Sequence, residues 1–335
     1  MRTNSCTSLS SPFALAAIAA AVVASASFSF FAKTHWHLGN RYWGAALRIS
    51  ARRAEELEKR GVPKTVVFGG STVRTSYIPS ALEEEFGVHC VNMGLNAGFG
   101  ADVLSELAMR FAKPGDTVVV ALEPDLLSAD GNSLPTTSGI DFLLFEDGLP
   151  PRRHSFVDMS PLHFAGWFQC QTRYVLFMAM KALRRMKPYR YTAEENLRGD
   201  GWMEVRERRS LPFSTNEVLA SRAGPGAAGR SLLLALRDEC ARRGCRAVYQ
   251  LPPKLDGNPA AARASAAFLL EISSIMPCVK DPMLGVNPRP EEFADTDRHP
   301  LRSGALRATR SFGEAIANGR FWSEDELKAL AAGAP

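Results

Sequence analysis

The sequence has no cysteine pairs at zinc-finger spacing, no internal repeat and no aromatic-plus-basic segment of the kind that binds RNA. The first absence excludes a thiolate zinc module. The second excludes solenoids and propellers. A net charge of +5 over 335 residues, with no concentrated basic stripe, excludes a dedicated nucleic-acid binder. There are six cysteines, Cys6, Cys90, Cys170, Cys240, Cys245 and Cys278. Cys6 lies before a long apolar run, which leaves an odd number in the body and no evident disulfide framework. Only a Cys240–Cys245 bridge suggests itself, in an oxidising compartment. Cys90 and Cys278 sit in apolar strand-like runs, where cysteine packs as a small hydrophobe. The remaining composition, 46% hydrophobic and 22% charged, is that of an ordinary globular chain.

Charge is also missing locally. From Pro12 to Ala32 no residue is charged, and the run is about the length that crosses a bilayer as a helix. Arg2 precedes it, and Lys33, Arg41 and Arg48 follow, so the flanks leave orientation open and lean against export. Three readings compete: an uncleaved signal anchor, a signal peptide cut after Ala24-Ser25-Ala26, and a buried helix of a soluble core. We expect the first. Residues 1–35 then form a single-pass anchor, residues 36–64 a polar, partly helical stalk, and the body lies outside the cytoplasm, in the periplasm.

From Thr65 onward strand and helix patterns alternate. Thr65-Phe68 reads as a strand, Ile78-Phe86 as a helix opened by Pro79 and stopped by Gly87, and Val88-Met93 as a second strand. Ala101-Ala112 reads as a helix, and Thr117-Leu122 is a Val-rich run typical of a strand buried on both faces. After a break over 126–229 the alternation resumes. Ser231-Arg243 reads as a helix, Arg246-Leu251 as a strand, Ala260-Ile275 as a helix, Cys278-Val279 as a short strand and Leu301-Ala317 as a helix. This order implies right-handed crossovers and predicts a three-layer α/β/α domain over 65–322 with a mainly parallel sheet. Ser323 and Glu326 spell a capping box for a last helix in the 323–335 tail. The break reads as an insertion or cap carrying one helix over Phe164–Lys187. Its apolar stretch and basic end suit packing on the domain, or contact with a membrane surface or an anionic glycan.

Three segments could carry chemistry. Gly69-Gly70-Ser71-Thr72 follows the first strand, which puts the Ser71 hydroxyl at the carboxyl edge of the sheet, where open α/β proteins hold ligands. Amides there lie near a helix start and could face an oxyanion. The same turn could instead cap the helix or cradle a phosphate. The lack of a P-loop lysine and of G-x-G-x-x-G counts against the cradle. Asn92-Met93-Gly94-Leu95-Asn96-Ala97-Gly98 follows the second strand at the same edge, and Asn96 could donate from its side chain; a plain loop with asparagine turns is the alternative. His299 precedes the last main helix with Asp295 and Asp297 just upstream. A neutral imidazole there could take a serine proton while a carboxylate fixes its tautomer. A surface turn histidine is the plainer alternative.

Gly69-Gly70-Ser71 after strand one, Asn92-x-Gly94 after strand two, and Asp295…His299-Pro300 before the last main helix together resemble, in order and spacing, the blocks of the SGNH/GDSL hydrolase superfamily. The likeness spans about Thr65 to Ala317 without the insertion. It implies a flavodoxin-like fold and a serine esterase or O-acyltransferase acting on acyl esters, acetyl esters of envelope polysaccharide among them. Ser71 would be the nucleophile, His299 the base, and Asp295, or alternatively Asp297, its orienting carboxylate. The oxyanion or substrate would meet Gly70, Gly94, Asn96, Gly98 and the position of Asp125. No metal and no cofactor is implied. A membrane-bound acyltransferase partner is an expectation of the same resemblance. The sequence departs from the pattern at three places. Gly70 stands for the usual Asp, Thr296 occupies the usual place of the orienting Asp, and Glu123-Pro124-Asp125 replaces Gly-x-Asn, so that an acceptor stands where a donor is usual. The last departure supports the alternative of a weak or inactive member acting as a scaffold or glycan-binding subunit.

Overall fold

Strand β1 (Thr65–Gly69) is the axis of the sheet, and every one of its residues is buried. The computed structural model describes residues 12–128, 139, 142–143, 156–157, 196–206, 224–258, 260–294 and 296–333, with side chains for all of these except 13 and 21–41. In chain order the helices are α1 (Pro12–Lys59), α2 (Ser71–Ser76), α3 (Pro79–Phe86), α4 (Ala101–Met109), α5 (Pro124–Leu127), α6 (Ala227–Arg242), α7 (Ala261–Ser273), α8 (Arg302–Ala317) and α9 (Glu324–Ala332). β1 pairs in parallel with β2 (Cys90–Gly94) on one side and with β3 (Thr117–Val120) on the other. β4 (Arg246–Tyr249) extends the sheet beyond β3, giving the order β2-β1-β3-β4, all parallel. Cys278 adds only an isolated bridge to Tyr249. A separate two-stranded sheet joins β5 (Lys254–Leu255) to β6 (Val286–Asn287), two residues each, too short for periodicity to reveal.

The period-two pleat sorts the strands onto two cores. Val66, Phe68, Val91, Met93, Val118 and Val120 pack with α1, α4, α6 and α7. Val67, Cys90, Val119, Ala121 and Val248 pack with α3 and α8. Helices thus cover both faces, as all-parallel sheets require. The chain leaves β1 for β2 on one side and then crosses to β3 on the other. The carboxyl ends of β1 and β3 therefore border the crevice at which open sheets bind ligands.

The segment expected to be a stalk corrects the reading of 36–64. The second half of α1 is docked on the domain, with Tyr42, Trp43, Ala46, Leu47, Ala54 and Leu57 buried in the larger core. Its polar composition conceals a narrow apolar stripe at helical spacing. The first half presents Leu15 and Ile18 largely exposed. Among the described residues, no helix is long and apolar enough to cross a membrane. The helix expected over Phe164–Lys187 lies outside the described residues. Cys240 and Cys245 are separate thiols, the first against Met109 Sδ at 3.8 Å and the second donating to Lys113 O at 2.9 Å.

A buried arginine ties these parts together. Arg74 on α2 is fully enclosed. Its Nε donates to Gly94 O at 2.6 Å, its Nη1 to Gly201 O at 2.5 Å, and both Nη atoms reach Ser50 Oγ on α1 at 3.2 Å. Burial pushes its pKa down to about 10, which leaves it charged at neutral pH. The folded value lies below the ordinary one, so the burial cost is present throughout the physiological range and shrinks only as pH rises beyond about 10. Arg74→Met is expected to destabilise the domain by about 3 kcal/mol, because it strands two buried carbonyls at once. Urea unfolding measures it. A loss below about 1 kcal/mol would mean that those carbonyls find other donors.

Candidate active site

The turn carrying Ser71 is set by one close approach and one side-chain tie. α2 starts immediately after β1 and passes so near β2 that a Cβ on Gly94 would lie 2.2 Å from Arg74 N. Asn92 fastens the two elements: its Nδ2 donates to Val73 O at 3.0 Å and Tyr77 O at 2.8 Å. Ser71 is thereby placed at the carboxyl end of β1, half-buried, on the first residue of α2.

His299 arrives from the far end of the chain on a hairpin-like loop. Phe293 and Pro300 form an antiparallel bridge, and Ala294 N donates to His299 O at 2.9 Å. Leu301 N donates to Glu292 O at 2.7 Å, while the Glu292 carboxylate takes Arg307 Nη2 at 2.6 Å and Nε at 3.1 Å. The Arg307 hydrogen bonds hold the Glu292 carboxyl below its usual range. The clamp is therefore in place at neutral pH and is released only as pH falls through that lowered value. Leu255 N, donating to Asp297 O at 2.7 Å, fixes the loop's other side to β5.

The loop brings Ser71 Oγ to 2.8 Å from His299 Nε2, with the imidazole buried at 8% exposure. With Nε2 unprotonated, the serine hydroxyl donates along this bond, the arrangement a general base needs. The other histidine with a described side chain, His89, sits at the opposite, amino-terminal end of β2 against Glu83. Burial pushes the Cys90, Cys240 and Cys278 thiols up to about 12, so none of them is an activated nucleophile.

The remaining residues singled out in the sequence behave differently. Asp295 lies outside the described residues. Among the described residues, the Asp297 carboxylate makes no hydrogen bond to the His299 ring. The amides of Gly94 and Gly98 are taken by Asn92 Oδ1 at 3.0 Å and Asn96 Oδ1 at 2.9 Å. Both are asparagine turns two residues long, a signal present in the two Asn-x-Gly triplets. The amide of Gly70 donates to Glu123 Oε2 at 3.1 Å. These three N–H groups are thus engaged internally. The Ser71 N–H, in the first turn of α2, has no intrahelical acceptor. Asn96 Oδ1 is occupied by Gly98 N, and the adjacent Ala97 packs against Gly70, with its Cβ 2.8 Å from where a Cβ on Gly70 would stand. The Asp125 carboxylate is 60% exposed and takes Arg298 Nη2 at 2.5 Å. The pair borders a cleft that Leu251, Lys254 and Asp256 also line. Arg298 carried no signal of its own in the sequence, and Glu123 stood out only as part of Glu123-Pro124-Asp125, because each acts on a partner far along the chain.

No protein-family model, no curated protein and no solved structure matches this chain.

Proposed function

We propose that the chain is a membrane-anchored, extracytoplasmic serine esterase or O-acyltransferase of SGNH type, acting on acetyl or other small acyl esters. The 2.8 Å contact between Ser71 Oγ and His299 Nε2, at the crevice between β1 and β3, carries this reading. Ser71 attacks the ester carbonyl as His299 Nε2 takes its proton. The Ser71 N–H and the Asn96 amide face the developing oxyanion. Collapse expels the alcohol, which takes the proton back from His299, and leaves an acyl-serine. Water or a sugar hydroxyl lodged in the cleft beside Asp125 and Arg298 then takes the acyl group. Asp295 is the carboxylate proposed to orient the ring. The charge-free run from Pro12, with Leu15 and Ile18 exposed on α1, supports the anchor.

A second reading, a scaffold or glycan-binding subunit with little turnover, is favoured by the internal engagement of the Gly70, Gly94 and Gly98 amides. A fluorophosphonate probe separates the two. Covalent labelling mapped to Ser71 is expected of the enzyme, because the probe reacts only with an activated hydroxyl. An unlabelled, folded wild-type protein would leave the scaffold reading standing.

A further inference from the structure

Resting on the serine-nucleophile reading, we infer that Glu123 is the positioning residue of the Ser71 turn, filling from the neighbouring strand the space that a side chain on residue 70 would otherwise take. Glu123 caps α5 just beyond Ala121 and Leu122 at the carboxyl end of β3, where Ala121 N donates to Phe68 O at 2.8 Å and locks that end to β1. Its carboxylate is buried at 3% exposure and accepts from Gly70 N. A carboxylate removed from water is costly unless hydrogen bonded, so this contact is not incidental to the fold. Gly70 has φ −71° and ψ −166°, a conformation open to any residue. Space favours glycine there: a Cβ would lie 2.3 Å from Glu123 Oε1, 2.8 Å from Glu123 Cδ and 2.8 Å from Ala97 Cβ, so the carboxylate would have to move. The missing side chain at 70 and the carboxylate of 123 are complementary parts of one device.

What the device holds is the Gly69–Gly70 peptide, one peptide ahead of the nucleophile's own. Gly70 N tied to Glu123 fixes the Gly69–Gly70 peptide, and Gly70 O, accepting from Val73 N at 3.1 Å, fixes the Gly70–Ser71 peptide that follows it. The Ser71 hydroxyl stays aimed at His299, and the Ser71 N–H stays available to an oxyanion. A displacement of about 1 Å at a reacting group costs roughly a hundredfold in rate. Glu123 therefore acts through Ser71 rather than on substrate.

The test is a double-mutant cycle read in two ways. With p-nitrophenyl acetate, Glu123→Ala is expected to lower kcat by about 10- to 100-fold with KM nearly unchanged. Glu123→Gln keeps an oxygen acceptor at the same reach and is expected to retain most of kcat. Gly70→Ala is expected to be slow alone and to improve when combined with Glu123→Ala, which removes the clash with the carboxylate and leaves only the contact with Ala97. Wild type, the two alanine variants and their combination are also followed by urea unfolding, which needs no turnover. Gly70→Ala should lower the midpoint in the wild-type background and lower it clearly less in the Glu123→Ala background, where only the Ala97 contact remains. Additive unfolding effects overturn the inference whether or not the protein hydrolyses esters. So does a Gln variant as slow as the Ala variant, or an unchanged kcat in Glu123→Ala. Failure of Ser71 in wild type to react with the fluorophosphonate refutes the enzymatic reading instead, and the unfolding cycle still decides the Gly70–Glu123 coupling.

Discussion

Ser71→Ala is expected to reduce turnover of a small acetyl ester to background, and His299→Ala to slow it roughly ten-thousand-fold. The size follows from what each atom contributes. A serine hydroxyl is a weak nucleophile until a base within hydrogen-bond reach accepts its proton, and His299 Nε2 stands at 2.8 Å. Among the described residues, the buried thiols are too basic to substitute, so removal of Ser71 leaves no alternative covalent route. The two substitutions should also fail to add. Once the nucleophile is gone the base has nothing to activate, and the double variant should match Ser71→Ala alone. Steady-state kinetics with p-nitrophenyl acetate measures all three. Changes within tenfold for both single variants would remove the dyad from the chemistry. Losses that multiply in the double variant would mean that His299 acts elsewhere.

The second large effect concerns where the folding unit begins. A chain starting at Trp36 is expected to fold as a soluble domain, whereas one starting at Thr65 is expected not to fold. The difference is the second half of α1, which buries Tyr42, Trp43, Ala46, Leu47, Ala54 and Leu57 in the main core. At ~2 kcal/mol for each large apolar side chain, their loss approaches the net stability of a whole domain, about 5–15 kcal/mol. Ser50 adds a polar tie, with its hydroxyl donating to Asn92 O at 2.6 Å and accepting from Arg74. Circular dichroism and thermal unfolding of the two chains decide the matter. A cooperative transition in the shorter chain would return residues 36–64 to the role of a stalk. The same comparison bears on the anchor: full-length protein should stay with membranes through a high-salt wash, and the Trp36 chain should not.

The strands and helices that surround the site were legible because their signals are local. β1 and β3 are runs of apolar residues, Gly87 ends α3 in a left-handed conformation at φ 66°, and Ser323 with Glu326 forms the capping box that their spacing implies. The asparagine turns at Asn92 and Asn96 were equally local, yet glycines read as open donors proved to be occupied by those same asparagines. The docking of α1 was hidden for a different reason. A narrow apolar stripe among Arg and Glu residues has the composition of an exposed helix until a sheet is placed beneath it.

By itself the sequence determined the order of the elements, the candidacy of Ser71 and His299, and the Ser-x-x-Glu cap, because each depends on neighbours within a few residues. Tertiary structure alone decided that Ser71 and His299, 228 residues apart, meet at 2.8 Å. It also decided that Arg298 holds Asp125 across 173 residues, and that the space beside Gly70 belongs to Glu123. The physical reason is that a parallel sheet brings the ends of β1 and β3 together through a crossover. The contacts made there are set by strand order and register, and neither is written in any one stretch of chain.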